Sequence, residues 1–413
     1  MNTTRRYETY GFQVDGDVNV VQDVPSTDEE RNLALWPALL YVGLIIVTGT
    51  VGNIVVCYVY GYRLRLTVTK QFILVLAVLD LANCLICAPT EMVVMFKIVS
   101  FNAPIWCKMS RFITYTLNGS TSLILLAIAV DRYCKVCRPL KVCFTRVSAR
   151  RMCMVAVILS LSMSWPSLIL YGNKTLRVGD THNGTTCLIQ DEYENTWYPL
   201  IFYSIFFVSF LAIAIAIISL YAKIARQIRL LRQRQDERIR SSPVHRRISG
   251  YVDSPEYSED NVLDNTLAVT AGDNQLKPPS PRANQHAVKL AQALLKDLHK
   301  RKTAYKPAKS TLMLFIITII FMLSFLPFFI TALIRGAVRE MFLSNLTDTS
   351  EIIVFNIFVR SYLLSNAANP VIYSFCNSRF RRECRPIFCP CWKKPESNVE
   401  IKVEHTDNTQ SIL

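Results

Sequence analysis

The sequence predicts an all-α membrane protein, a bundle of seven transmembrane helices followed by a short amphipathic eighth helix. Half of the 413 residues are hydrophobic and only 19% are charged. The apolar residues are gathered into long runs, and each is long enough to cross a hydrocarbon core of ~30 Å. The runs lie at roughly 36–60, 70–96, 104–136, 150–171, 197–222, 308–334 and 351–375. Because backbone polar groups in lipid must be paired within their own segment, each run is predicted to be a helix.

The predicted spans divide the chain into four parts. These are an N-terminal tail at 1–35, a seven-transmembrane domain at 36–375, an amphipathic helix at 376–390 and a cytoplasmic tail at 391–413. The loop at about 223–306 has a middle rich in Ser, Pro, Asp and Asn, which predicts disorder. Its two ends, 222–239 and 286–302, carry helical periodicity and a basic face, so the fifth helix is expected to extend beyond the membrane.

The basic residues of the short loops predict the orientation of the bundle. Arg63, Arg65 and Lys70 follow the first span, and a further group of Lys and Arg follows the third, whereas the first 35 residues hold three basic and seven acidic side chains. Since cytoplasmic loops carry an excess of Lys and Arg, the N-terminus is predicted to be extracellular and the protein a multi-pass plasma-membrane protein. The net charge of +15 is assigned to this bias and to the basic third inner loop, not to nucleic-acid binding.

Four glycosylation triplets agree with this orientation, because all of them fall on the predicted outer side. Their acceptors are Asn2, Asn173, Asn183 and Asn345. A fifth triplet at Asn118 lies in the middle of the membrane and is expected to be unused.

Two short motifs close apolar spans. Asp131-Arg132-Tyr133 ends the third span, with Cys107 twenty-five residues before Arg132, and Asn369-Pro370-Val371-Ile372-Tyr373 ends the seventh. Each motif is common by chance, but their order, depth and cysteine spacing together are specific. The sequence resembles a rhodopsin-like (class A) G-protein-coupled receptor over residues 36–390, and its overall appearance is similar to neuropeptide receptors of the cholecystokinin and RFamide kind. A G protein, receptor kinases and arrestin are the partners that this resemblance implies.

The alternative classes lack their own signals in this sequence. A transporter would show internal repeats, and an intramembrane enzyme would need a catalytic constellation at one depth. The sequence contains neither, so no catalytic residue and no cofactor is predicted, apart from a possible allosteric sodium ion. Topology leaves only Cys107 and Cys187 in the oxidising outer compartment. They are predicted to pair, and the family has this bridge at the same two places.

The resemblance implies a set of switch residues. At rest Arg132 is held by Asp131, and on activation it turns toward the G protein as the sixth helix moves outward. Pro327 removes a helix hydrogen bond and provides the kink about which that helix moves. The full predicted set is Asp131, Arg132, Tyr133, Tyr221, Phe321, Phe325, Pro327, Asn369, Pro370 and Tyr373. Phe325 stands where the family usually has tryptophan, which keeps an aromatic ring but no indole N–H.

A polar group lies at mid-membrane depth, where polar side chains are costly and need a reason. The family's matching aspartate binds sodium in the inactive state. The residues implied here are Asp80, Thr121, Asn366 and Asn369. The alternative is a satisfied polar cluster that only pins the helices together.

The outer half of the bundle holds the candidate ligand pocket. Thr114 occupies the position where amine receptors carry an aspartate, so a monoamine ligand is not expected. The candidate pocket residues are Glu91, Thr114, Tyr115, Asn118, Phe328, Phe329, Arg335 and Arg360. Glu91 and Arg360 either neutralise each other or recognise charged groups of a peptide.

The second outer loop favours a peptide ligand. It is long enough for a hairpin around Cys187, and Asp191, Glu192 and Glu194 place acidic charge near its end, which would attract a basic peptide. The runner-up is a lipid or another small molecule in an apolar pocket.

Past the seventh span, apolar and basic residues alternate from Asn377 to Phe388, which is typical of a helix lying on the inner leaflet. Cys384, Cys389 and Cys391 are candidate palmitoylation sites.

Overall fold

The computed structural model describes residues 28–139, 143–178, 182–241, 310–334 and 349–388. Several predictions fall outside these ranges. They concern Asn2, Arg335, Asn345, Cys389, Cys391, the C-terminal tail and most of the third inner loop.

The described chain is an all-α membrane protein with one small hairpin. Four of its spans are single or nearly single helices: the third is Pro104–Cys137, the fourth Arg146–Ser164 with a short continuation at Ser167–Leu170, the fifth Tyr198–Arg240 and the sixth Ser310–Ile334. Counting the first and second spans, six helices of the described part are long and apolar enough to cross a membrane. The fifth helix is 43 residues long, which confirms the predicted extension beyond the membrane.

The first and second spans contain π-helical turns. The first runs through Asp28–Tyr58 and ends in a wide turn at Val59–Arg63. The second is built from Val68–Ala82, a wide turn at Asn83–Cys87 and Ala88–Phe96. The wide turn in the second span directly precedes Pro89, whose missing N–H prevents a regular hydrogen-bond ladder there.

The seventh span is broken rather than continuous. It consists of Thr349–Val359, a 3₁₀ turn at Ser361–Leu363 and Leu364–Cys376. The break follows Arg360, whose side chain reaches across the bundle to Glu91. A regular helix through the whole span was expected from the apolar run, and this interruption is the main departure from it.

One face of the first span is a stripe of exposed apolar side chains. Leu40, Leu44, Val47, Val51 and Ile54 are each more than half exposed and recur at intervals of three and four residues. A soluble protein rarely exposes a continuous apolar surface of this kind. The stripe therefore faces lipid, while the opposite face packs into the bundle.

Glycines allow the first span to approach its neighbours closely. A Cβ at Gly52 would lie 2.6 Å from the Cβ of Pro370, and one at Gly49 would collide with the sulfur of Cys84. Small residues of this kind let transmembrane helices pack backbone to backbone. They hold the first span against the second and against the proline of the seventh.

A two-stranded hairpin covers the outer end of the bundle. Strands β1, Tyr171–Val178, and β2, His182–Ile189, pair antiparallel. Thr185 ties the hairpin to the end of the second span, because its N–H donates to the carbonyl of Val99 and its carbonyl accepts from Phe101. The predicted hairpin around Cys187 is confirmed.

The eighth helix, Ser378–Phe388, follows the seventh span directly. The side-chain oxygen of Asn377 caps its start by accepting from the N–H groups of Arg379 and Phe380. Phe380 is buried against Tyr60 of the first span, with 5.9 Å between ring centroids. This packing fixes the helix beside the inner end of the bundle.

Candidate functional site

At the cytoplasmic end of the third span, one carboxylate holds two cations. An oxygen of Asp131 accepts from Arg132 and from Lys135, each at 2.8 Å, and from the hydroxyl of Thr69 at 2.9 Å. Thr69 in turn accepts from both cations. Arg132 and Asp131 are therefore paired as predicted, but Lys135 and Thr69 were missed. Tyr133 lies apart from this group, and its ring receives the guanidinium of Arg138 at 5.8 Å.

A second disulfide, not predicted from the sequence, lies beside this cluster. It joins Cys134, the residue after Tyr133, to Cys143, with 6.2 Å between the Cα atoms. The prediction reserved pairing for Cys107 and Cys187 because topology assigned the other cysteines to the membrane or the cytoplasm. Sequence spacing alone does not indicate that these two thiols lie close together.

The inner end of the seventh span is held by aromatic packing. The ring of Tyr373 is buried and lies 5.9 Å from that of Tyr60 and 6.2 Å from that of Phe380. Asn377 donates to the hydroxyl of Tyr60 at 2.7 Å. Tyr221 of the fifth span instead packs on Phe315 at 5.1 Å, so the two predicted switch tyrosines have different neighbours.

The mid-membrane polar group contains several buried oxygen and nitrogen atoms without partners in the described structure. Asn369 donates to one oxygen of Asp80 at 2.6 Å, whereas the other oxygen has no hydrogen-bond partner. The hydroxyl of Thr121 and the side-chain nitrogen of Asn366 are likewise buried and unpartnered. Buried polar atoms are rarely left unsatisfied. Buried oxygens of a carboxylate and a hydroxyl that lack hydrogen-bond partners are able to coordinate a small cation, so the residues present fit the predicted sodium ion.

The sixth span carries a column of phenylalanines. The Phe325 ring lies 4.5 Å from Phe321, 6.2 Å from Phe210 and from Phe329, and 6.0 Å from Tyr362 of the seventh span. Phe325, the predicted aromatic residue near Pro327, is thus in contact with rings of the fifth and seventh spans as well as with rings of its own span.

The turn that breaks the seventh span is bonded to the sixth span beside Pro327, the predicted site of the kink. The hydroxyl of Ser361 donates at 2.7 Å to the carbonyl of Ser324, in the turn before the proline. Thr331 donates to the carbonyl of Pro327 itself at 2.9 Å. A hydrogen bond therefore links the break in the seventh span to the segment of the sixth span that contains Pro327.

In the outer half of the bundle, Glu91 is the centre of a buried charge cluster. One of its oxygens accepts from Arg111 of the third span and, at 3.2 Å, from the hydroxyl of Tyr362. The other oxygen lies 3.1 Å from Nε of Arg360, and Arg360 also donates to the side-chain oxygen of Asn356 at 2.8 Å. Glu91 and Arg360 thus contact each other, which is one of the two arrangements that the sequence left open. Arg111 was not predicted, although an ionisable residue one turn below Cys107 is a signal that the sequence contains.

Three tyrosine hydroxyls form a chain next to this cluster. The Tyr171 hydroxyl is 2.8 Å from that of Tyr115 and 2.7 Å from that of Tyr203. Burial raises the pKa of Tyr171 well above its usual value, so its hydroxyl stays protonated and available as a donor. The guanidinium of Arg111 lies 5.7 Å from the centre of the Tyr171 ring. The chain therefore connects the hairpin, the third span and the fifth.

The other predicted pocket residues within the described ranges are buried or half-buried, in different surroundings. Thr114 donates to the carbonyl of Ser110 at 2.8 Å, and Asn118 accepts from Asn83 at 3.4 Å. Asn118 thereby lies among the polar residues that join the second and third spans. Phe328 packs on Tyr362, with 5.3 Å between ring centroids.

The disulfide between Cys107 and Cys187 anchors the hairpin to the third span, as predicted, with a Cα–Cα distance of 5.5 Å. Two of the three acidic residues after the hairpin contact polar groups of the hairpin. Asp191 accepts from the N–H of Thr175 at 3.2 Å, and Glu194 pairs with Lys174. Glu192 is exposed.

One receptor family model matches most of this chain. The sequence model described as "7 transmembrane receptor (rhodopsin family)" matches residues 52–373, which is most of the chain and includes both end-of-span motifs. The chain belongs to this family. It is a G-protein-coupled receptor of the rhodopsin class, and the family consists of receptors rather than enzymes.

Similar curated relatives of this rhodopsin-family receptor include cholecystokinin receptors. The cholecystokinin receptor of Xenopus laevis is 26% identical over 370 residues, 88% of this chain and 79% of its own length. The human cholecystokinin receptor type A is 25% identical over 397 residues, covering 92% and 88%. The alpha-2Da adrenergic receptor of Danio rerio is 29% identical, but over only 51% of each chain.

Three predicted modification sites of the receptor, Asn173, Asn183 and Cys384, lie in the described chain. The side-chain amide of Asn173 donates to Asn102 at 2.7 Å, while Asn183 lies in β2. Cys384 is half-buried on the eighth helix, and burial together with the nearby Glu383 raises the pKa of its thiol.

Proposed function

We propose that this receptor is activated by an extracellular peptide and passes the signal to a G protein at its inner face. The observation that carries the proposal is the buried cluster of Glu91, Arg111 and Arg360 beneath an anchored hairpin. A lipid ligand needs an apolar cavity, whereas charged groups at this depth are expected to recognise polar groups of a ligand. The names of the cholecystokinin relatives, whose alignments extend over most of this chain, support the same ligand class.

The N-terminus is extracellular in this proposal, and the receptor resides in the plasma membrane. The disulfide-linked hairpin lies at the same end as the start of the first span, where Asp28 accepts from the N–H of Val99 at 2.9 Å. The basic loop residues Arg63 and Arg65 lie at the opposite end, as expected for the cytoplasmic side.

The peptide acts by binding the active conformation more tightly than the resting one. The resting conformation is stabilised by the ion pair of Arg132 with Asp131 and by the packing of Tyr373 against Tyr60. A ligand that moves Arg360 or Tyr362 displaces the turn of Ser361, which supports the kink of the sixth span. The inner end of that span then moves outward and Arg132 is released toward the G protein.

Asp80, Thr121, Asn366 and Asn369 would hold a sodium ion in the resting conformation. The ion would supply positive charge to a carboxylate that is buried in the membrane. The same proposal assigns glycans to Asn173 and Asn183, a palmitoyl chain to Cys384, and receptor kinases and arrestin to the inner face as further partners.

The test is a second-messenger screen in cells that express the receptor, reading calcium and cyclic AMP. Amidated and free-acid peptides, biogenic amines and lipid mediators are applied, with an Arg132→Ala receptor as the control. A submicromolar peptide response that is lost in the control supports the proposal. A response to amines or lipids alone would contradict the ligand class and leave the receptor assignment intact.

A further inference from the structure

The outer charge cluster carries more positive than negative charge. Arg111 and Arg360 stay protonated at any physiological pH, and Glu91 provides one negative charge between them. The side chains of Glu91, Arg111 and Arg360 are 3%, 12% and 7% exposed, so water screens this imbalance poorly.

Both oxygens of the single carboxylate lie against the arginines, although the one facing Arg360 makes no hydrogen bond within the described structure. Arg111 and Tyr362 bind one oxygen of Glu91, and Arg360 lies against the other. Within the described ranges, Glu91 is the acidic partner that the two arginines share, and neither pairs with another carboxylate. The cluster is therefore short of one negative charge.

Each of the two arginines also has an Nε–H group that makes no hydrogen bond within the described structure. Nε of Arg111 is buried and makes no hydrogen bond within the described structure, and Nε of Arg360 makes an ion pair without hydrogen-bond geometry. The Tyr171 ring beside Arg111 offers its π face, which offsets part of the charge but accepts no hydrogen bond from Nε in this structure. An uncompensated buried guanidinium is costly, so this geometry is expected to attract an anionic group.

We propose that Arg111, assisted by Arg360, binds a carboxylate of the peptide ligand, so that the receptor selects acidic over basic peptides. This inference rests on the proposed peptide function and specifies its ligand. The carboxylate belongs either to an Asp or Glu side chain or to a free C-terminus. Of the acidic residues beyond the hairpin, Glu194 is paired with Lys174, whereas Asp191 and Glu192 are exposed and lie outside the buried cluster. This proposal therefore differs from the expectation of a basic peptide that those residues suggested.

The probes are pooled synthetic hexapeptides prepared as matched pairs. In the first pair, one pool contains Asp and Glu where the other contains Asn and Gln. In the second pair, the peptides of one pool have a free C-terminus and those of the other have a C-terminal amide. Calcium and cyclic AMP are read for the wild-type receptor and for Arg111→Gln. This variant leaves Glu91 and Arg360 as a neutral pair, so we expect it to fold. Lys97→Gln is the matched control, since it removes one exposed cation from the outer end of the second span.

The expected result is that acidic pools activate the wild type, and that Arg111→Gln raises their half-maximal concentration by at least about tenfold. Lys97→Gln should leave it unchanged. If the Asn and Gln pool is less potent than the Asp and Glu pool, the receptor binds a side-chain carboxylate. If the amidated pool is less potent than the free-acid pool, it binds the C-terminal carboxylate. If Arg111→Gln does not reach the surface, Arg111→Lys is measured instead, because it keeps the charge and loses the forked geometry; a smaller loss for acidic pools is then expected.

Two failures are distinguishable. If basic or neutral pools activate the receptor equally and the Arg111 variants respond as the wild type does, the inference is overturned and the peptide function stands. If no pool activates a receptor that is present on the surface, the proposed peptide function fails, and this inference fails with it.

Discussion

The hydroxyl of Tyr362 donates to the carboxylate of Glu91 at 3.2 Å, while its ring lies 6.0 Å from that of Phe325. One side chain of the seventh span therefore contacts both the outer charge cluster and the aromatic residue at the kink of the sixth span. Because packed helices shift between discrete arrangements rather than deform continuously, Tyr362 provides a direct physical contact between the proposed ligand site and the moving helix.

Removing Glu91 should destabilise the receptor strongly. Glu91→Gln leaves Arg111 and Arg360 buried together without a counter-ion, which is expected to cost about 3–5 kcal/mol. Arg360→Gln should be much milder, because Glu91 and Arg111 remain as a neutral pair. The melting temperature of the purified receptor in detergent measures both. Glu192→Gln, at an exposed position, is the control. Equal melting temperatures for Glu91→Gln and the wild type would contradict the role of Glu91 as the counter-ion that stabilises the two arginines.

Loss of Thr69 should raise basal signalling. Its hydroxyl binds Asp131 and accepts from Arg132 and Lys135, so Thr69→Ala weakens the resting cluster by about 0.5–1.5 kcal/mol. This free energy corresponds to a shift of roughly two- to tenfold toward the active state. Ligand-free second-messenger levels at matched surface expression provide the measurement. Thr90→Ala is the control, since Thr90 in the same span binds only its own helix backbone, at Ile86; equal basal levels in the two variants would argue against a resting role for Thr69.

Sodium should stabilise the receptor through Asp80. A ligand that binds only the folded state raises its stability with concentration, so the melting temperature should be higher in sodium chloride than in choline chloride at equal ionic strength. Asp80→Asn removes the buried carboxylate and should abolish the difference. A sodium effect that persists in this variant would place the ion elsewhere.

The reactivity of Cys384 should depend on pH in a defined direction. Burial, and then the charge of Glu383, raises the pKa of this thiol, and the thiolate is the reactive form. Once hydroxylamine has removed any acyl group from the thiol, alkylation by iodoacetamide should therefore be slow at neutral pH and accelerate as the pH rises. Glu383→Gln lowers the pKa and should speed the reaction at any fixed pH over this rise. Mass spectrometry of the peptide follows the reaction, and identical rates for variant and wild type would remove Glu383 as a cause.

The spans, the hairpin, the eighth helix and the outer disulfide could be predicted because each depends on local pattern or on topology. The partners of individual side chains could not. Arg360 and Glu91 were recognised as costly intramembrane charges, yet their contact depends on how the second and seventh spans pack. Arg111, one turn before Thr114, carries the same signal, but its partner depends on the same packing between spans.

The break in the seventh span shows a similar limit. The apolar run gives no sign of a turn at Ser361, because the turn is stabilised by contacts with other spans, at Ser324 and at Glu91. Likewise, the proximity of Cys134 and Cys143 depends on the path of the inner loop. Periodicity reports the face that a helix buries, but it does not report which neighbour it meets.

The length of the fifth helix turns small rotations into large displacements. Its 43 residues span about 65 Å, roughly twice the thickness of the hydrocarbon core, so about half of it projects past the bilayer. A tilt of about 5° at the membrane surface would move the far end by about 3 Å over that projecting ~35 Å. A change in helix tilt that is too small to detect within the bundle would therefore be measurable with a distance probe at the projecting end of the fifth helix.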